Sequence, residues 1–141
     1  MLKRDRGTVL LLFPAAFMIM IILGAIVIDV SLSHVRAREL EAVASSAAND
    51  ALAALDVEAL RTDGEVRFDL TRAEQIVRDA VANGARPDAV VLTVGVDRNR
   101  AGEPQLTVTL QLEVDFVMAA ALPAGLDSTV ITRTRTASIL G

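Results

Sequence analysis

"GTVLLLFPAAFMIMIILGAIVID" occupies residues 7–29 and holds no charge between Gly7 and Asp29. As a helix rising about 1.5 Å per residue, Thr8–Ile28 reaches about 31 Å, the thickness of a bilayer's hydrocarbon core. A secretory signal peptide has a shorter apolar core, about 7–15 residues, closely followed by a small-x-small cleavage site. Here Leu23-Gly24-Ala25 lies inside the run and Ala42-Val43-Ala44 well beyond it. The reading is a retained transmembrane helix. Lys3, Arg4 and Arg6 precede it, which favours a cytoplasmic N-terminus, although Arg36 and Arg38 follow on the far side. Pro14 removes the hydrogen bond to the Leu10 carbonyl and is expected to loosen the first turns. Gly24 and Ala25 permit close approach of another helix, but not in a sustained small-xxx-small pattern.

The next stretch, "DVSLSHVRARELEAVASSAANDALAALD" (29–56), has no Pro or Gly and is rich in Ala, Leu, Glu and Arg. These residues lose least on entering a helix, so the helix is expected to continue. Val35, Leu40, Val43, Ala47, Ala51 and Ala54 make an apolar stripe of mostly small side chains, widened by Leu52 and Leu55.

The remainder reads as a compact α+β unit. "EVRFD" (65–69) alternates after the turn signal Asp63-Gly64 and predicts a short strand. Thr71 and Glu74 form a capping box, and the stripe Ala73, Ile76, Val77, Ala80 and Val81 predicts a helix over 71–83, ended by Asn83-Gly84. Strands follow at 89–97, with Val90, Leu92, Val94 and Val96 on one face, at 105–117, with Leu106 through Phe116 alternating, and at 128–138. "DRNRAGEP" joins the first two as a polar hairpin loop. One sheet face is apolar and one wet, so the 71–83 helix and part of the long helix are expected to cover the apolar one. The organisation is a basic leader (1–7), a transmembrane helix (8–28), an extracytoplasmic continuation of it (29–56) and a small α+β domain (57–141).

The 141 residues carry a net charge of −4, and the basic start makes the body beyond it more acidic than that. An acidic body argues against nucleic acid as a partner, because phosphate contacts need clustered Lys and Arg. There is no Cys, Trp or Tyr and a single His, which leaves no thiol chemistry and few residues for a catalytic or stacking site. Asp97, Asn99 and Gly102 resemble the start of a calcium loop, but Ala101 and Val108 stand where ligands belong, and a plain hairpin turn is the reading. His34 has no second His or Cys to share a metal. Ser45 and Ser46, flanked by alanines on a helix, lack a base and an elbow turn and read as packing residues. Glu39, Glu41, Arg36 and Arg38 read as a solvated helix face. No cofactor, metal or catalytic activity is expected. "MAAALPAGL" (118–126) differs, because an apolar loop must fold over the core or meet a partner. Its candidate contact residues are Met118, Leu122, Pro123 and Leu126.

Several stretches together resemble the TadE/TadG-like minor pilins, or pseudopilins, of the tight-adherence (Tad, or Flp) type IV pilus system. They are the "RDRG" start, the apolar run from Thr8, "LGAIVID" ending in an acid, "RARELEAVASSAANDALAAL" and the late strand ending "TRTRTAS". The resemblance implies a pilin-like helical spine, a prepilin peptidase that cuts after Gly7 to leave Thr8 at the N-terminus, and partners among other pilin-like subunits or the pilus assembly platform. The family pattern carries glutamate at the fifth residue after the cut; this chain has Leu12 there, followed by the aromatic Phe13. That departure suits a non-cleaved or accessory subunit better than a main filament pilin. The alternative is an autonomous membrane-anchored domain that binds or adheres to a ligand outside any filament.

The apolar run makes one direct prediction. Alkaline carbonate extraction is expected to leave the full chain in the membrane pellet and to release a truncation that begins at Asp29; release of the full chain would remove the anchor.

Overall fold

The structure is a computed structural model and describes residues 6–117 and 127–139, with side chains from residue 12 onward. Its first element, α1, runs from Arg6 to Ala51 through Pro14 without a break. One helix near the N-terminus is therefore long and apolar enough to cross a membrane. Its two halves differ in environment. From Leu12 to Ile28 nearly every side chain is exposed, whereas Ala37, Leu40, Val43, Ala44, Ala47, Ala48 and Ala51 are buried in the domain core.

The helix stops short of the expected residue 56. A 3-10 turn, Leu52–Ala54, tightens its end, and Leu55 leaves helical geometry at φ −57° and ψ 129°. The cause is a pairing from outside the helix: Leu55 bridges Phe68, the Asp56 N–H donates to the Arg67 carbonyl, and the Asp69 N–H donates to the Ala54 carbonyl. The strand expected over 65–69 is thus reduced to that single bridge at Phe68. Between the two partners lies a helix that the sequence reading left out, α2, Val57–Asp63. Asp56 starts it by accepting the N–H groups of Glu58 and Ala59 on one carboxylate oxygen. Gly64 ends it at φ +70°, where a Cβ would be strained.

Helix α3 spans Leu70–Ala82, one residue ahead of expectation. Its cap is Asp69, whose carboxylate accepts the Arg72 N–H, and not Thr71. Ala73, Val77 and Val81 are its buried face. At its far end a Cβ on Gly84 would stand 2.7 Å from the Ala80 carbonyl oxygen, so the turn there needs glycine.

The sheet contains β1 (Val90–Arg98), β2 (Pro104–Asp115) and β3 (Ser128–Ser138), antiparallel in the order β1-β2-β3. The α+β class, with a long helix, a small antiparallel sheet and a packed helix, is as the sequence indicates. Leu106, Val108, Leu110, Leu112 and Val114 of the central strand are all buried, with α1 packed over β2 and β3 and α3 against β1. β1 departs from strict alternation. A register shift between Val91 and Thr93 makes Leu92 the extra residue, so Val91, opposite Leu110, joins the core while Val90, opposite Gln111, faces out. On the outer face Thr109 and Thr134 share a hydrogen bond at 3.0 Å, and Thr107 donates to Asp97 at 2.9 Å.

β2 runs back toward the apolar half of α1. Val117, just past its end, meets Asp29, whereas Arg135, in register with Val108, meets Glu41. One end of the sheet therefore sits at the end of the apolar run, and the β1–β2 hairpin sits at the other.

Ala47 is fully buried between helix and sheet, while Ala42 is exposed. Ala47→Leu should overfill the contact and destabilise the domain by about 1–3 kcal/mol, against about 0.5 kcal/mol or less for Ala42→Leu. Thermal unfolding of both variants in micelles checks the contrast; equal melting temperatures would contradict the packing.

Candidate functional site

The residues that attach the domain to the spine are polar, and each follows from its place on the helix. Leu40 is fully buried on the sheet-facing line of α1. Glu39 and Glu41, about 100° to either side of it, are directed to opposite flanks. Glu39 lies 3.4 Å from the Arg86 guanidinium, which also holds Asp88 at 2.7 Å in the loop before β1. Glu41 on the other flank pairs with Arg135 of β3. The solvated face expected here holds at Arg38, which is exposed, and is corrected at the two glutamates, which are only partly exposed and fasten the α3–β1 loop and the edge strand β3 to the spine. Partial exposure holds such pairs to about 0–1 kcal/mol each, so their effect is chiefly on orientation. The Arg86 Nε is buried without a partner among the described residues.

Asp29, the first charge after the apolar run, is 8% exposed. Its carboxylate accepts the Val117 N–H at 2.9 Å, and its own carbonyl accepts the Ser33 hydroxyl, also at 2.9 Å. A buried carboxylate without donors is costly, and a backbone N–H bonded to a charged acceptor contributes about 1.5–3 kcal/mol. One residue earlier, the Phe116 N–H donates to the Asp127 carbonyl at 2.8 Å. Together these bonds close the base of the β2–β3 connection and tie it to the spine. Sequence reasoning noted this acid without assigning it a partner; the available signal was its position, a lone carboxylate where the apolar run meets an alanine-rich face.

Of the proposed processing pair, Gly7 and Thr8 lie in the first turn of α1. Met118, Leu122, Pro123 and Leu126 lie outside the described residues, and only the anchor points on either side, Val117 and Asp127, are placed. His34 is exposed and borders a shallow groove of about 380 Å³ with Ser31, Val35 and Arg38. Ser46, with Ala42, Ala80 and Gly84, lines a groove of about 310 Å³ between α1 and the end of α3. A wider one of about 470 Å³ lies between α1 and β3, bounded by Arg38, Glu41, Ala42, Ser45 and Arg135. In the β1–β2 hairpin the Asn99 side-chain oxygen is engaged by the N–H groups of Ala101 and Glu103, so it orders the turn. Among the described residues no group of three His, Asp or Glu is placed to hold a metal ion. What the surface offers is shallow, charged or small-residue contact. Comparison of the chain with protein-family models, curated proteins and solved structures finds no match.

The Asp29 tether is testable residue by residue. Asp29→Ala should lower hydrogen-exchange protection of the Val117 amide by about 1–3 kcal/mol, and Asp29→Asn, which keeps an acceptor oxygen, should restore most of it. Equal protection in all three chains would show that the bond does not hold the loop base.

Proposed function

We propose that the chain is a single-pass, pilin-like structural or assembly subunit of a Tad-type pilus or related secretion filament. Its N-terminus is cytoplasmic, its α+β domain extracytoplasmic, and it works by packing and not by catalysis. The observation that carries this reading is the unbroken α1, which is exposed and apolar in one half and is the seat of the sheet in the other. A tethered binding domain needs only a span and a linker; here no linker intervenes, because the same rod serves both halves. That continuity suits a subunit whose membrane segment and domain must be placed together. The bilayer, other pilin-like subunits or the assembly platform, and a prepilin peptidase acting at Gly7–Thr8 are the partners that follow.

Leu12 bears on the rank of the subunit. A carboxylate at that place would pair with a neighbour's terminal amine and fix register in a helical core, a use for which buried polar pairs are suited. With Leu12 there, an accessory or initiating position is the better fit.

N-terminal mass spectrometry on membranes and on sheared surface material tests the reading. Thr8 at the terminus and presence in the sheared fraction support it. An intact Met1 confined to membranes supports the autonomous anchored domain instead, and a start near residue 45 would mean that the apolar run is a removed signal peptide.

A further inference from the structure

The groove between α1 and β3 differs in charge from the rest of an acidic domain. Arg38 and Arg135 face it with Glu41 as the one acid in its lining. Glu41 is engaged with Arg135. Arg38 is exposed and has no hydrogen-bond or ion-pair partner among the described residues. Arg133 lies on the same face of β3, two residues before Arg135, and among the described residues its side chain bonds only the neighbouring Thr132 carbonyl. The groove therefore presents more cationic charge than its own chain neutralises.

The opposite excess lies at the end of the molecule farthest from the apolar run. There Asp56 and Asp69 are used as helix caps and Glu65 is paired with Arg67. Asp50, Glu58 and Asp63 are exposed and their carboxylates have no partner among the described residues; Arg61 on α2 and Arg72 on α3 are the exposed cations beside them, and with the two capping aspartates counted the acids still outnumber the cations. Along the α1 axis, Asp50 stands about 18 Å beyond Arg38. Within one chain the two charged surfaces do not meet.

We propose that the α1–β3 groove is the docking surface for a second copy of this chain, which enters with its acidic far end, Asp50, Glu58 and Asp63, against Arg38 and Arg135. The argument is charge complementarity between two incompletely neutralised surfaces, and it rests on the reading of the chain as an assembling subunit. It adds a geometric requirement to that reading. Copies standing side by side in a flat bilayer hold the two surfaces at different heights. The contact forms only when neighbours are displaced along the spine by about 18 Å or more, the stagger of a filament and not of a membrane array.

The chain contains no cysteine, so engineered pairs report on the contact without background. Full-length Ser45→Cys and full-length Glu58→Cys are co-expressed in the native host and oxidised, and disulfide-linked dimers are counted in membranes and in sheared material. The mixed dimer is expected to dominate over either homodimer. Arg38→Glu with Arg135→Glu on the Ser45→Cys chain should lower its yield by about tenfold or more, since like charges brought together at an interface are strongly disfavoured. Restoration by Glu58→Arg is precluded by the cysteine at that site, so Asp50→Arg with Asp63→Arg on the Glu58→Cys chain supplies the rescue. Insensitivity to the reversal, or absence of the mixed dimer while native gels still show self-association, overturns this surface and leaves the assembly reading intact. Absence of self-association by any measure likewise overturns this surface, whereas the assembly reading falls only with an intact Met1 confined to membranes.

Discussion

The close approach of α1 to the sheet is the constraint on which the rest of the structure depends. The helix offers Ala37, Ala44, Ala47, Ala48 and Ala51, side chains that end at Cβ, and the central strand answers with Leu106, Leu110 and Leu112 between Val108 and Val114. Bulk sits on the sheet and smallness on the helix, with Leu40 and Val43 the larger exceptions. Packing of this kind reaches native density only at a short distance between layers, and it leaves little room for a methylene to be added. Because α1 is one rod, pushing the helix away from β2 would tilt its exposed half as well. The alanines thus set the angle between the apolar segment and the domain, in addition to filling the core.

Apolar packing alone would let the helix slide or rotate over the strand, and the polar contacts remove that freedom. Glu39 and Glu41 reach in opposite directions from the buried Leu40 line to Arg86 and Arg135, and Asp29 binds the loop base below them. Two lateral pairs and one terminal bond suffice to locate a cylinder on a surface. Their individual energies are small beside the burial of the stripe, yet each wrong register would break at least one of these bonds.

Much of this was legible in the sequence because it rests on local pattern. The apolar run follows from its length and lack of charge, its continuation from helix propensity and a small-residue stripe, α3 and β2 from repeats of 3.6 and 2, and β3, rich in β-branched residues, falls at the residues expected. What escaped depends on partners far along the chain. The bulge at Leu92 reverses the outward face of Val90 because Val91 must oppose Leu110. Phe68 pairs with Leu55 and so stops the spine at Ala51, which no local propensity in "ANDALAALD" signals. Asp69 outcompetes Thr71 as a cap since the bond from its own N–H to the Ala54 carbonyl already fixes it in extended geometry. Glu39 and Glu41 look like a solvated face until Arg86 and Arg135 are known to flank them.

The exposed half of α1 has a consequence for how any cover must fit. Phe13 is 76% exposed and Val27 64%, and a continuous apolar surface of this kind has to be enclosed by lipid or protein. The enclosure ends where charge begins, at Asp29, the residue that holds the base of the β2–β3 connection. Whatever surrounds the helix therefore also abuts one end of the sheet. Between Gly24 and Gly64 the chain has neither glycine nor proline, so no hinge separates the enclosed half from the domain, and a change of environment for one carries the other with it. On the proposed reading as an assembling subunit, Leu12 offers no carboxylate to set register between neighbouring rods. Register would then come from above the apolar run, where the side chains of the domain surface are charged and directional.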